Sequence, residues 1–184
     1  MSDAGAARDE GRPMAEEWFD VVDVDNRVLG RATRAEVHRR GWRHRSAHAV
    51  LFNAAGEVFL QKRSPYKDND PGRWDSSAAG HVEAGETYAA CLPRELAEEL
   101  GWTPDAVPAP RFELPASAAT GQEFAQVFVL SAEGPFRLDP VEIDEGRWFA
   151  PEAVDAWLRA RPDDFTGAFR LIWARLRGWD AAGG

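Results

Sequence analysis

The chain has 184 residues and a mass of 20.4 kDa, and its apolar 44% includes eight Trp and ten Phe, enough to fill one domain core. A formal charge of −9 disfavours a nucleic-acid coat or an anionic membrane surface, and no apolar run approaches the ~18 residues of a membrane span. The single cysteine, Cys91, excludes an internal disulfide and a cysteine-based metal cluster, which fits a cytoplasmic location.

The first twenty residues are polar and acidic, unlike a signal or transit peptide. Residues 1–13 read as a disordered tail, and 14–184 as a single domain in which 14–45 supply an N-terminal β-hairpin and short helix. Two short strands around Asp25-Asn26 and a helix over 33–40 make up that extension. Strands follow at Ala47–Asn53 and Glu57–Lys62, joined at Gly56, then an exposed turn-rich loop over 64–73 and a strand from Trp74 to Ala79. The segment 86–100 is the strongest helix, closed by Gly101. Strand candidates at 111–118, 123–131 and 145–150 precede two amphipathic helices over 151–160 and 164–177. This order predicts an α+β fold with a central mixed sheet.

Charge is not spread evenly. Residues 1–25 carry two basic and eight acidic side chains, 26–73 carry eleven and four, and 74–184 carry nine and nineteen. A basic middle block in an acidic chain suits an anion or is a solvated face.

Chemistry concentrates between Gly80 and Trp102. On a helix, Glu95, Glu98 and Glu99 lie at i, i+3 and i+4, so three carboxylates share one face and repel unless a cation compensates them. Oxygen donors without Cys or His suit a hard divalent ion, Mg²⁺ or Mn²⁺, with a carbonyl such as that of Gly80 completing its shell. Arg94 points to the neighbouring side, within reach of Glu86 across the loop–helix junction. Pro93 cannot donate to Ala89, which predicts a loosened turn near 89–93 or a late helix start.

The full spacing is Gly80, five residues, Glu86, seven residues, Arg94-Glu95-Leu96, one residue, Glu98-Glu99, one residue, Gly101, then Trp102. It resembles the signature of the Nudix hydrolases, departing only at Trp102, where an aliphatic residue is usual. The resemblance implies an α/β/α sandwich that hydrolyses an organic, nucleotide-like diphosphate with Mg²⁺ or Mn²⁺. It implies that Glu98 and Glu99 are metal ligands, that Glu95 is a ligand or the water-activating base, and that Glu86 and Arg94 form a structural salt bridge.

Residues 18–150, including GRATRAEVHRRGWRHRSAHAVLFN and LQKRSPYKDNDPGRWDSSAAGHVEAGE, look like the isopentenyl-diphosphate isomerase-like branch of that family. The isomerase Cys position holds Ala79 and the hydrolytic signature is complete, so the resemblance implies a hydrolase rather than an isomerase. Arg63 and Lys67 match the isomerase residues that contact diphosphate, or are ordinary surface charges. His38, His44 and His81 approximate its metal-binding histidines, or make structural hydrogen bonds or line the pocket. Glu123 matches its catalytic Glu, or is a solvated edge-strand carboxylate; Glu142 and Glu145 are weaker candidates of the same kind. Trp74, Trp148 and Phe149 read as core, and Cys91 as buried rather than reactive. A binding module without catalysis, and a homodimer packed through the N-terminal extension, are the remaining readings.

Overall fold

The structure is a computed structural model that describes residues 16–178; the tail reading over 1–13 lies outside them. In chain order the elements are β1 (Trp18–Val22), β2 (Val28–Thr33), α1 (Arg34–Arg40), β3 (His44–Phe52), β4 (Val58–Arg63), β5 (Trp74–Asp75), β6 (Ala78–His81), α2 (Tyr88–Leu100), β7 (Phe112–Leu114), β8 (Glu123–Ser131), β9 (Ile143–Phe149), α3 (Pro151–Ala160) and α4 (Gly167–Leu176). No helix among the described residues is long and apolar enough to cross a membrane.

Strand β3 organises the molecule. It pairs in parallel with β8 along its whole length and antiparallel with β6 and the start of β4, so the sheet is mixed. Alternation along β3 serves two faces. Ala47, Ala49 and Leu51 pack with Leu92, Leu96 and Leu100 of α2, while Val50 joins Val154 of α3 and Phe169, Ile172 and Trp173 of α4. Helices therefore cover both sides of the sheet, an α/β/α sandwich. The antiparallel β1–β2 hairpin and α1 enclose a third cluster of Phe19, Ala32 and Val37.

The expected single strand over Trp74–Ala79 is two short strands, because β3 and β4 diverge beyond the Leu51–Phe59 pair. β5 pairs with β4 and β6 with β3. Ser77 bridges the fork: its hydroxyl accepts from the Leu51 amide at 2.8 Å and donates to the Phe59 carbonyl at 2.6 Å. The fork opens between two interior strands, and the polar face of α2 meets it, with Glu99 reaching Gln61 on β4 and the Ala79 amide on β6. The strand expected over 111–118 shortens to three residues, and the last helix starts at Gly167, where the Thr166 hydroxyl accepts from the Phe169 amide.

Pro93 does not interrupt α2. The helix starts at Tyr88 behind a Thr87 cap, and Pro93 falls in its second turn. The carbonyl left without a donor is that of Ala89, which is exposed and open to water. Trp74 makes edge contacts with Phe149 and Trp157, and Trp148 with Phe59, so these aromatics are core.

Candidate active site

The amphipathic α2 buries Cys91, Leu92, Leu96 and Leu100 and turns Glu95, Glu98 and Glu99 toward the fork. Arg94 ties the preceding loop to this helix. Its Nε and Nη2 donate to the two Glu86 oxygens at 3.0 and 2.9 Å, and Nη2 also reaches the His81 carbonyl at 3.0 Å. Burial raises the Glu86 pKa, but the bidentate Arg94 outweighs it and holds the carboxyl below its usual range. Arg94 Nη1 then donates to Glu95 Oε1 at 2.7 Å and approaches Glu98 Oε2 at 3.4 Å, drawing two carboxylates toward one nitrogen.

Glu99 is the deepest of the three, and its Oε2 accepts from Gln61 Nε2 at 2.9 Å and the Ala79 amide at 3.1 Å. Glu95 lies against Gly80, where a Cβ would fall 1.8 Å from its carboxyl carbon. Burial, then in Glu99 the neighbouring Glu95, pushes the Glu99 carboxyl up to about 8, and burial pushes Glu95 up to about 7. Glu98 remains largely exposed. Oxygen donors gathered where the bare chain resists holding their charge fit a hard divalent cation, and the Gly80 cradle leaves room for the approach.

A cavity of about 1010 Å³ opens onto these carboxylates. Arg63 and Lys67 line it. Arg63 donates to the Asn69 carbonyl at 3.1 and 3.0 Å and lies 3.5 Å from Asp75, while Lys67 pairs with Glu142. Glu145 pairs instead with Arg147. Cys91 is fully buried with its thiol pKa pushed up by burial.

Glu123 is not an edge carboxylate. It opens β8, which lies between β3 and β7, and opposite His44. His81 Nε2 lies 3.2 Å and His44 Nε2 3.6 Å from its Oε1. Burial opposes its charge, yet the two imidazoles hold Glu123 well below the usual carboxylate range. His38 joins them, and one ring nitrogen from each of the three histidines lies within 4.8 Å of the others. The Nε2 atoms of His38 and His44 are buried without a hydrogen-bond partner among the described residues. Burial, followed by its histidine neighbours, pushes His38 down to about 4; burial likewise lowers His81. Imidazole nitrogens grouped beside a carboxylate can also ligate a metal.

Sequence reasoning passed over Gln61 and Asp20. Gln61 follows Val58–Leu60 and precedes Lys62 and Arg63 in β4, so in sequence it reads as the start of the strand's polar half although it is buried. Asp20 Oδ2 accepts from the Gly85 amide at 3.0 Å, which pins the N-terminal hairpin to the signature loop; nothing local in the sequence foretells that contact.

The model of the NUDIX domain matches residues 42–169, a span that includes β3 and the whole carboxylate helix. The chain belongs to the Nudix family. An uncharacterised Nudix hydrolase of Pseudomonas aeruginosa, PA4841, is 39% identical over 152 residues, covering 82% of this chain and 89% of that one. The uncharacterised Nudix hydrolase YfcD of Escherichia coli is 31% identical over 159 residues, covering 86% and 85%. Among solved structures, DR0079 of Deinococcus radiodurans superposes with a TM-score of 0.76 at 29% identity, covering 86% of this chain and 98% of its own. This Nudix hydrolase thus shares its fold with DR0079 and aligns over most of its length with the two sequence relatives.

Proposed function

We propose that this Nudix hydrolase cleaves an organic diphosphate, a nucleoside diphosphate or its derivative, by attack of water on phosphorus with Mg²⁺ or Mn²⁺. The observation that carries the reading is the pair of buried carboxyls, Glu95 and Glu99, facing a cavity whose other wall carries Arg63 and Lys67. Glu95, Glu98, Glu99 and the Gly80 carbonyl would hold the cation, which when bound neutralises phosphate oxygens and acidifies water. Gln61 and the Ala79 amide orient Glu99. Glu95, beside Gly80 and within reach of the same cavity, would serve as a ligand or as the base that takes the proton of the attacking water. Arg63 and Lys67 grip the departing phosphate, and positioning carries most of the barrier reduction. The test is formation of nucleoside monophosphate from a panel of nucleoside diphosphates and their sugar derivatives with Mg²⁺ or Mn²⁺, with Glu98→Gln as the blank. Background rates across the panel would favour a binding module.

The convergence of His38, His44, His81 and Glu123 favours one second reading, an isoprenoid diphosphate isomerase. Ala79 weighs against it, because a methyl group at the Cys position has no proton to move. Isopentenyl diphosphate incubated with the protein should not isomerise.

A further inference from the structure

The carboxylate helix and the basic loop account for only part of the cavity. Its inner wall on β3 carries Ser46 and His48, which face α4, away from α2. Ser46 is 2% exposed, and its hydroxyl has no hydrogen-bond partner among the described residues. It sits opposite His81 on β6 and Ala125 on β8, one pair along from Gly80, which cradles Glu95. A buried hydroxyl that lines a cavity without a partner is costly unless a ligand completes it.

His48 adds a second polar atom. It is 3% exposed, and Nδ1 lies 2.8 Å from Ser76 Oγ. The Ser76 hydroxyl has its own acceptors, Asp75 Oδ1 at 3.4 Å and the Ala78 carbonyl at 3.5 Å. The network therefore assigns the proton to Nδ1 and leaves Nε2 as an acceptor with no partner among the described residues. Asp75 lies 3.5 Å from Arg63, so one polar run joins the phosphate grip to this wall. Thr166, also on the wall, spends its hydroxyl capping α4.

We infer that Ser46 and His48 are specificity residues that hydrogen-bond the head group of the substrate, a nucleobase or its ribose, and reject an alkyl chain. The inference rests on the diphosphate reading above and adds which half of the substrate each wall reads. A head group that donates to His48 Nε2 and exchanges a hydrogen bond with Ser46 completes both atoms. An isoprenoid chain leaves both unpaired, and a site built for hydrogen bonds discriminates strongly against a ligand that cannot make them.

The test uses the full chain carrying Glu98→Gln, with Mg²⁺ present, and calorimetric binding of three kinds of probe. ADP, GDP, CDP and UDP carry base and ribose, phosphoribosyl diphosphate carries only the sugar, and isopentenyl diphosphate carries neither. At least one nucleoside or ribosyl diphosphate should bind roughly tenfold or more tightly than isopentenyl diphosphate. Adding Ser46→Ala or His48→Phe should collapse that ratio, whereas His48→Gln, which keeps a polar acceptor, should restore part of it. The sugar-only probe tells whether base or ribose is read. Equal affinity for the alkyl probe, or a ratio that survives Ser46→Ala, overturns the inference; Ser46→Ala removes one atom, so this arm stands even if His48→Phe does not fold. Phosphate release measured in parallel without Glu98→Gln separates the two claims. Preference without hydrolysis sinks the catalytic reading alone, and hydrolysis without preference sinks the pocket alone.

Discussion

Gly80 and Glu98 make opposite demands on the same site. Gly80 has no room for a side chain, because a Cβ would overlap the Glu95 carboxyl group. Gly80→Ala should displace Glu95 and lower kcat about a hundredfold, the scale of an ångström-level misplacement, together with a lower melting temperature. Unchanged kinetics would mean that Glu95 does not work from this position. Glu98 is largely exposed, so Glu98→Gln should melt where the parent does while losing at least about a hundredfold in kcat. A drop in melting temperature as large as the loss of activity would point to a structural role. The spacing of the signature made these residues legible, since helical geometry alone puts 95, 98 and 99 on one face. The burial that separates Glu95 and Glu99 from Glu98 was not, because it depends on strands β4 and β6 meeting α2 from elsewhere in the chain.

Among the elements, α2 carries the chemistry and also the proline that ought to weaken it. Its cost is limited because the carbonyl that loses a partner is exposed at Ala89. Pro93→Ala should restore that hydrogen bond and stabilise the protein by up to about 3 kcal/mol, read as a higher denaturation midpoint. A lower midpoint would show that the proline is needed for the loop–helix junction. Hydrophobic period and turn residues located most elements in the sequence, but not the fork at β5 and β6. Trp74 to Ala79 reads as one extended run; only the divergence of β3 from β4, bridged by Ser77, divides it. For the same reason the contacts between the N-terminal hairpin and the signature loop escaped a reading in which each segment is judged by itself.

The whole molecule carries a net charge of −9 yet would take a polyanion, and its pH response should report how that conflict is settled. Glu95 and Glu99 keep their protons in the folded chain up to about pH 7 and 8, but release them near pH 4.5 when unfolded. Across that window the unfolded chain binds fewer protons, so stability without metal falls as pH rises. His38 and His81 act below about pH 6.5, where the unfolded chain takes up protons that the buried rings refuse, so stability there falls as pH drops. Between pH 6.5 and 8 the carboxyls outweigh the histidines, whose unfolded rings are at most half protonated there. In chelator, the melting temperature should decline over this range, and Mg²⁺ should remove the decline by favouring the ionised carboxylates. A rise in chelator would contradict the burial of Glu95 and Glu99. The central claim, that this Nudix protein directs water onto phosphorus, is tested most directly by turnover in heavy-oxygen water with Mg²⁺. The account predicts one labelled oxygen per turnover in a phosphate-bearing product, and none above background with Glu98→Gln. Label found in the organic product without its phosphate, or a product formed without label, would contradict it.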